Sequence, residues 1–304
     1  MSDALGKPFA AGKQADPARD GLRARRPILL ATLGVGVLSA MDAMIKHVAE
    51  RHHTFEIAFL RYALGLIFAA AALAMIRPGW PSRESLIVNG SRSFIVAVTA
   101  TCFFYALGAL PLAETVALSF LSPIFLAIFG VLILREPVDG RMGFALALGM
   151  AGMLVIVGPR IGAESYSSEA TLGAIAALIS AVTYALAMTL LRARARHDPV
   201  VTIVFIQNIG PALILLAPAI LVWRTPDAAD WFFFLMIGFA GVAGHLLLAM
   251  AFARAQAARL APLEYTALVW ATLFGLLFYG ELPTAYVLAG AALIIAAAAA
   301  ASRR

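Results

Sequence analysis

Charged side chains stand alone inside long apolar stretches of this chain. Asp42 and Lys46 are four residues apart, so they share one face of a helix and can pair directly. The pair is either structural, or it lines a cavity in which Asp42 is released to bind a substrate or a proton. Arg61, in the next stretch, stays protonated and needs a carboxylate, either from the protein or from a ligand. These residue types predict the binding of a charged solute.

Neutral polar side chains and one histidine occur in other stretches. Gln207 and Asn208 either recognise a polar group without the cost of burying a charge, or hydrogen-bond to a neighbouring helix. His245 is alone in its stretch and is either a hydrogen-bonded packing residue or part of a proton relay. Tyr105 and Tyr184 either supply an aromatic wall for a ring-bearing ligand or pack against other side chains.

A polar and aromatic segment follows Pro262. Glu264 is either an interfacial carboxylate or a gate and proton-binding residue, and Tyr265 and Trp270 come after it. Ser119 holds the matching place in an earlier stretch. The candidate substrate-binding residues are therefore Asp42, Lys46, Arg61, Tyr105, Ser119, Tyr184, Gln207, Asn208, Tyr265 and Trp270. The candidate proton-coupling residues are Asp42, His245 and Glu264.

The stretches that hold these residues have the composition of membrane-spanning helices. The chain of 304 residues is 62% hydrophobic, and its mean hydropathy is +0.90. A helix needs about 20 apolar residues to cross a bilayer. The charge-free runs include residues 93–113, 115–134, 142–159, 170–191, 199–223, 231–253 and 282–301. We predict an all-α membrane protein of ten transmembrane helices, beginning near residues 28, 55, 86, 112, 142, 170, 200, 231, 260 and 283.

Lysine and arginine residues are unevenly distributed between the two sides of such a bundle. With ten spans, seventeen of the 23 basic residues fall on one side, and the side with the basic excess is the cytoplasmic one. We therefore expect both termini in the cytoplasm and the chain in the bacterial inner membrane. Residues 1–27 are rich in Ala, Gly, Pro, Lys and Arg and predict a disordered basic cytoplasmic tail. Because the positive charge reflects topology, no nucleic-acid partner is expected.

Two segments of the chain repeat one short pattern. Five residues separate Gly130 from Glu136 and Gly275 from Glu281, a Phe precedes each glycine, and the offset between the two segments is 145. The predicted five-helix repeats are residues 28–159 and 170–301. Because each repeat has an odd number of crossings, the second starts on the opposite side of the membrane and is inverted relative to the first. Such an arrangement is typical of transporters with a binding site at the membrane midplane.

The ten predicted spans, the repeated pattern and two early segments resemble the drug/metabolite transporter superfamily, and within it the EamA branch. The early segments are residues 39–46, SAMDAMIK, and residues 55–61, FEIAFLR. Both are similar to the opening of bacterial S-adenosylmethionine uptake transporters and related carriers, including riboflavin importers. The resemblance implies a single ten-helix bundle in the inner membrane, alternating access and no ATPase domain.

The motifs of other functional classes are missing from the sequence. The chain has no His-Glu-x-x-His, no Cys/His cluster and no glycine-rich phosphate loop, so we expect no enzyme, cofactor or metal site. We predict a secondary transporter of a small polar or zwitterionic metabolite, such as an amino acid or a nucleoside-like or vitamin-like compound. Its partners are the solute, the lipid bilayer and, as a candidate coupling ion, the proton. The alternative is an exporter of metabolites or drugs of the same superfamily; a membrane-embedded enzyme or a channel is less favoured.

Overall fold

The computed structural model describes residues 17–78, 81–134, 140–157, 159, 167–194, 199–252 and 266–302. The elements in these ranges are α-helices, without strands, so the predicted all-helical class is confirmed. In chain order they are α1 (Pro17–Ala49), α2 (Thr54–Ile76), α3 (Arg83–Ala109), α4 (Leu112–Ser119), α5 (Ser122–Leu134), α6 (Gly140–Val157), α7 (Ser168–Arg194), α8 (Val200–Leu221), α9 (Ala228–Phe252), α10 (Thr266–Tyr279) and α11 (Ala285–Ser302).

Six of the described helices are long and apolar enough to cross a bilayer. The spans are Leu29–Ala49, Thr54–Ile76, Arg83–Ala109, Ser168–Leu190, Val200–Leu221 and Ala228–Leu248. The surface carries large apolar side chains such as Met75 and Leu221, each 85% exposed in the isolated chain. A surface of this kind suits hydrocarbon rather than water. The chain is therefore a multi-pass membrane protein.

The helices begin close to the predicted positions, with one difference at the N-terminus. The predicted start near residue 260 lies outside the described residues. α1 begins at Pro17, so residues 17–27 of the expected disordered tail are helical, while residues 1–16 lie outside the described part. Pro17 occupies the first helical position, where proline is favoured. The Ala, Leu and Arg residues that follow are strong helix formers and continue directly into the first span.

The fourth predicted span is divided into two helices. α4 ends at Ser119 and α5 begins at Ser122. Between them, the backbone nitrogens of Phe120 and Leu121 donate to carbonyls only three residues earlier. Pro123 accounts for the break, because it has no N–H to give to the carbonyl of Ser119. Irregular backbone of this kind is tolerated at membrane depth where it is enclosed by protein or lines a cavity.

Close helix contacts in the first half of the chain recur in the second half. Gly65 of α2 meets Gly238 of α9, where an added Cβ on Gly238 would lie 2.8 Å from the Gly65 nitrogen. Shifting Gly65 forward and Gly238 back by 145 positions gives Gly210 and Ser93, which touch each other between α8 and α3. The two crossings use small residues, which allow helices to approach closely in a membrane.

A second pair of contacts obeys the same shift. Leu38 of α1 packs on Gly244 of α9, with an added Cβ on Gly244 only 2.6 Å from the Leu38 Cγ. The corresponding residues are Thr183 of α7 and Thr99 of α3, whose Oγ1 atoms are hydrogen-bonded at 2.8 Å. The offset of 145 found in the sequence therefore also relates tertiary contacts in the two halves.

The packing of whole helices shows the same correspondence between the two halves. α1 packs on α9, and its counterpart α7 packs on α3. The pairs α2 with α8 and α6 with α11 each join corresponding helices of the two halves. Helices from both halves contribute to one large apolar core. α2 and α8 pack on each other, and their contact includes the buried polar pair Arg61 and Asn208.

Candidate functional site

Arg61 lies about two turns into α2 and faces α8 and α9. Its side chain is enclosed, with 3% of the residue exposed. Nη1 donates a hydrogen bond to the Asn208 Oδ1 of α8 at 3.0 Å, and the guanidinium lies 4.1 Å from the ring centre of Tyr62. Gly241 of α9 leaves room for this group, because a Cβ there would be 2.7 Å from Nη2. The structure thus brings together Arg61 and Asn208, two of the predicted site residues.

Asn208 directs its amide oxygen at Arg61 because its amide nitrogen is used within α8. Nδ2 donates to the Val204 carbonyl at 2.7 Å, and the residue is 2% exposed. Gln207 is next to it and half-buried. The backbone carbonyl of Gln207 has no donor within the helix, since the residue four positions later is Pro211. α8 therefore offers side-chain and backbone oxygens within one turn.

Asp42 of α1 lies at the level of Arg61. The contacts of α1 with α9 move from Leu248 at Gly34 to Gly244 at Leu38, so the next turn of α1 reaches the level of the Arg61 contact. Asp42 and Arg61 are close enough for their charges to interact. Among the described residues, however, no salt bridge within 4 Å joins Arg61 to a carboxylate.

His245 lies one turn beyond Gly241 on α9. Its Nδ1 is 2.6 Å from the Gly241 carbonyl oxygen. Because a carbonyl only accepts hydrogen bonds, Nδ1 carries a proton in the neutral ring and Nε2 is the acceptor. Arg61 and Arg92 both interact electrostatically with His245. His245 therefore makes the hydrogen bond expected of a packing residue. It also lies close enough to Arg61 and Arg92 to interact with their charges.

Arg92 is a second buried arginine, to which the sequence reasoning assigned no role. It lies on α3 with 3% of its surface exposed, and its Nε has no hydrogen-bond partner among the described residues. The side chain of Tyr62 interacts electrostatically with Arg92 as it does with Arg61. The signal that identifies Arg61, a charge within an apolar helix, also identifies Arg92.

Lys46 is held away from the position that its spacing predicts. Its Nζ is 3.1 Å from Glu281 Oε1 and donates to the carbonyls of Leu110 at 2.6 Å and Leu107 at 3.3 Å. The other carboxylate oxygen of Glu281 accepts a hydrogen bond from the Leu112 nitrogen at 2.8 Å. The pair therefore satisfies carbonyls at the end of α3 and an N–H at the start of α4, groups that have no partner within their own helices.

The direct pair of Asp42 with Lys46 is consequently not formed. The carbonyls at the end of α3 and the Glu281 carboxylate together offer Lys46 three acceptors, whereas Asp42 offers a single group on the same helix. Tyr279 supports this arrangement, since its hydroxyl donates to the Ala43 carbonyl at 2.6 Å and its ring centre is 5.6 Å from Nζ. In the described structure Lys46 joins α1 to the α3–α4 corner and to the segment before α11.

Three of the aromatic candidates lie on three different helices of the described structure. Trp270 of α10 packs on Gly36 of α1 and stacks on Phe274, with ring centres 5.8 Å apart. Tyr105 of α3 is half-buried, and Tyr184 of α7 is 41% exposed.

Of the polar candidates in the fourth and ninth predicted spans, Ser119 lies within the described residues. Ser119 donates its hydroxyl to the Val116 carbonyl of its own helix at 2.7 Å. Glu264 and Tyr265 lie outside the described residues. The candidate site that the structure assembles therefore consists of Asp42, Arg61, Tyr62, Arg92, Asn208 and His245.

A separate charged cluster lies at the end of the bundle where α1 joins α2, and sequence reasoning missed it. We call it the His52 cluster, and it consists of Arg51, His52, Glu56, Asp227 and Asp230. His52 Nε2 is 3.0 Å from Asp230 Oδ2, and Nδ1 is 3.2 Å from Glu56 Oε2. Arg51 reaches Asp230 Oδ1 at 2.7 Å and Asp227 Oδ2 at 3.7 Å.

The His52 cluster ties the α1–α2 turn to the start of α9. The backbone nitrogen of Arg224 donates to Glu56 Oε2 at 3.4 Å, and its Nη1 donates to the Arg51 carbonyl at 3.0 Å. His52 and Glu56 are fully enclosed, so these charged contacts are costly to break one at a time. Within the described ranges, no group of three or more His, Cys, Asp or Glu side chains is arranged to hold a metal ion.

Comparison with known proteins gives matches over nearly the whole chain. A family model described as the EamA-like transporter family matches residues 25–158 and again residues 171–303. The pseudopaline exporter CntI of Pseudomonas aeruginosa is 32% identical over 285 residues, which cover 91% of this chain and 95% of that protein. The S-adenosylmethionine uptake transporter of Rickettsia bellii is 24% identical, over 85% of this chain and 87% of its own length.

The fold is also shared with a solved structure. A crystal structure with 22% sequence identity superposes with a TM-score of 0.64 and covers 89% of this chain and 95% of its own. The two matches to the family model fall on the two halves whose contacts correspond at an offset of 145. As the resemblance predicted, the chain belongs to the EamA-like transporter family of the drug/metabolite transporter superfamily.

Proposed function

We propose that this protein is a secondary carrier, which moves a small polar or zwitterionic metabolite across the bacterial inner membrane by alternating access. The observation that carries the proposal is the environment of Arg61, a buried guanidinium whose hydrogen-bond partner is the neutral amide of Asn208. A buried charge is costly unless a counter-charge faces it. A carboxylate of the solute supplies that counter-charge while it is bound, in the paired geometry that guanidinium groups favour.

Asp42 gives the proposed site its negative charge. It lies at the level of Arg61 without a salt bridge to it in the described structure. A zwitterion presents a carboxylate to Arg61 and an ammonium group to Asp42 at the same time. The Asn208 oxygen, held in place by Arg61, and the Gln207 carbonyl are further acceptors for polar groups of the solute.

The two corresponding halves support the alternating-access part of the proposal. The exchange of contacts between α2, α3, α8 and α9 is the pattern expected when two repeats of inverted orientation surround a shared site. We propose ten spans with both termini in the cytoplasm, in agreement with the lysine and arginine distribution. Protons are the proposed coupling ion, with Asp42, His245 and Glu264 as the groups to test.

The direction of transport has two candidates. The relative that is 32% identical is named an exporter, whereas the relative that is 24% identical is named an uptake transporter. Export is therefore the second candidate function, and it uses the same site. A carrier can exchange solute across the membrane in either direction. An exchange assay therefore tests the site whether the protein imports or exports in the cell.

The test is solute counterflow in proteoliposomes that contain the purified protein. Vesicles are loaded with unlabelled riboflavin, S-adenosylmethionine, or aromatic, aliphatic or acidic amino acids, and entry of the labelled compound is followed with and without a pH gradient. We expect saturable exchange of one class of compound, reduced about tenfold or more in Arg61→Gln because a charge-assisted hydrogen bond is lost.

The matched control is Arg83→Gln, the same substitution at an exposed position of α3. It should leave exchange unchanged. Full exchange by a folded Arg61→Gln protein would contradict the proposed site, and the absence of exchange for every compound by folded protein would contradict the carrier function itself.

A further inference from the structure

The charges around Arg61 do not balance. Arg61 and Arg92 are both buried, each interacts electrostatically with Tyr62, and both interact with His245. Among the described residues, Asp42 is the carboxylate that interacts electrostatically with Arg61. No salt bridge in the described structure involves Arg61 or Arg92. Two guanidinium groups and one carboxylate leave a net charge of one positive unit in an apolar bundle.

Arg92 lies next to the α3–α8 crossing. Its neighbour Ser93 touches Gly210 of α8, two residues after the Asn208 that contacts Arg61. At the corresponding crossing, Gly238 takes the place of Ser93 and the backbones of α2 and α9 meet. On one side of α2, its backbone therefore touches that of α9 and leaves no space between the helices. On the α3 side lies the buried guanidinium of Arg92, whose Nε has no hydrogen-bond partner among the described residues.

A buried guanidinium of this kind needs an acceptor. Arginine remains protonated, so it cannot relieve its burial by losing a proton. Its planar donors match carboxylate oxygens, and they do so best in water-excluded surroundings. No described residue supplies a carboxylate to Arg92, and a ligand carboxylate is an acceptor that fits its donors.

We propose that Arg61 and Arg92 together bind two carboxylate groups of one solute, while Asp42 receives its ammonium group. The inference rests on the proposed carrier function and narrows its substrate to amino-dicarboxylates with one net negative charge. Such a solute brings the combined charge of the three protein groups to zero. An ordinary amino acid, with a single carboxylate, would leave one guanidinium without a counter-charge.

The test compares amino-dicarboxylates with their half-amides. The probes are aspartate, glutamate and 2-aminoadipate, each paired with the compound whose side-chain carboxylate is replaced by an amide. Binding to purified protein is measured as the ligand-induced rise in the thermal unfolding midpoint, from which the affinity follows by mass action. We expect at least one dicarboxylate to bind about tenfold more tightly than its half-amide.

Substitutions of Arg92 test whether this arginine binds the second carboxylate. Arg92→Gln should bind the two members of that pair about equally, and Arg92→Lys, which keeps the charge, should retain part of the preference. Arg83→Gln on the same helix is the control and should retain all of it. Arg92→Lys also provides the test if Arg92→Gln does not fold, as judged by size-exclusion chromatography.

The outcomes separate this inference from the carrier function. The two-carboxylate site would be overturned if none of the three dicarboxylates stabilised the folded wild type. It would also be overturned if folded Arg92→Gln kept the full preference for the dicarboxylate. When only Arg92→Lys folds, the same result in that variant counts in the same way. Saturable counterflow of any solute would then still support a carrier. Binding of dicarboxylates with the expected preference, but without counterflow, would instead support the site and count against the carrier.

Discussion

Asn208 determines how firmly Arg61 is held in the absence of solute. Its amide oxygen accepts one hydrogen bond from Nη1, and its nitrogen is occupied by the Val204 carbonyl. A neutral acceptor positions the guanidinium without forming an ion pair with it. In the proposed carrier, a solute carboxylate would therefore bind Arg61 without first breaking a salt bridge of the protein.

Replacing Asn208 by Asp should remove this advantage. The new carboxylate would pair with Arg61 and compete with the solute, because a buried ion pair is costly to separate. We expect folded protein in which the KM for counterflow rises about tenfold. Asn208→Gln, which keeps a neutral amide at the same position, is the control and should raise the KM much less. An unchanged KM in Asn208→Asp would show that Arg61 does not hold the solute.

Single residues differ in how well their surroundings follow from sequence. The burial of Arg61 follows from the sequence, because a charge in an apolar run has to face the interior. Its hydrogen bond to Asn208 does not, since a carboxylate was the expected partner. The partner of Lys46 was predicted wrongly, because the spacing to Asp42 describes one helix only. Its actual partners, Glu281 and the end of α3, come together through tertiary structure.

The crossing of α2 and α9 positions the site at the scale of helices. Gly238 allows the two backbones to touch, with an added Cβ 2.8 Å from the Gly65 nitrogen and 3.0 Å from Leu64. Arg61 lies one turn before Gly65, and its guanidinium packs on Gly241, one turn after Gly238. A change in the distance between α2 and α9 at this crossing would therefore shift the guanidinium of Arg61.

Gly238→Ala should force α2 and α9 apart, because backbone atoms cannot move aside as a flexible side chain does. We expect the free energy of unfolding to fall by about 1–3 kcal/mol, as for other overpacked sites. Thermal unfolding in detergent measures this change. Gly90→Ala is the control, since nothing lies within 4 Å of an added Cβ there and alanine favours the helix. Equal midpoints for the two variants would contradict the close crossing.

Helix starts were predictable from the sequence to within a few residues, because apolar length and turn residues fix them locally. The offset of 145 was likewise visible in Gly130, Glu136 and their counterparts Gly275 and Glu281. The start of α1 at Pro17 was not predicted, since composition alone does not distinguish a polar helix from a disordered tail. The packing of α3 on α7 follows from the repeat only once the contacts are known.

The His52 cluster matters at the scale of the whole molecule, because it joins parts of both halves at one end of the bundle. Its residues are too far apart for sequence reasoning to find, with 178 positions between His52 and Asp230. Alternating access requires that each end of a carrier opens in turn. The buried contacts of His52 with Glu56 and Asp230 are among those that opening of this end has to break.

His52→Gln should weaken the closure of this end. The amide has one nitrogen and cannot place a ring nitrogen against each of Glu56 and Asp230 as the imidazole does, so we expect the closed form to lose roughly 1–3 kcal/mol. Spin labels on Glu50→Cys and Ala229→Cys, two exposed positions flanking the cluster, in a Cys102→Ala background report the opening as a distance distribution. The variant should show a larger population at long distances. The neighbouring His53→Gln should not, and identical distributions in all three proteins would contradict a closing role.

The exchange of contacts at an offset of 145 has a consequence for the resting state of the protein. In the proposed alternating-access cycle, swapping the conformations of the two halves would generate the oppositely facing form, with equivalent backbone contacts. The side-chain contacts would differ, because Glu56 and Asp230 correspond at this offset to Val201 and Ser85, which carry no charge. The two forms of the proposed carrier should therefore differ in free energy. We expect the unloaded protein to rest with its His52 end shut, and a solute to reverse that preference only by binding the other form more tightly.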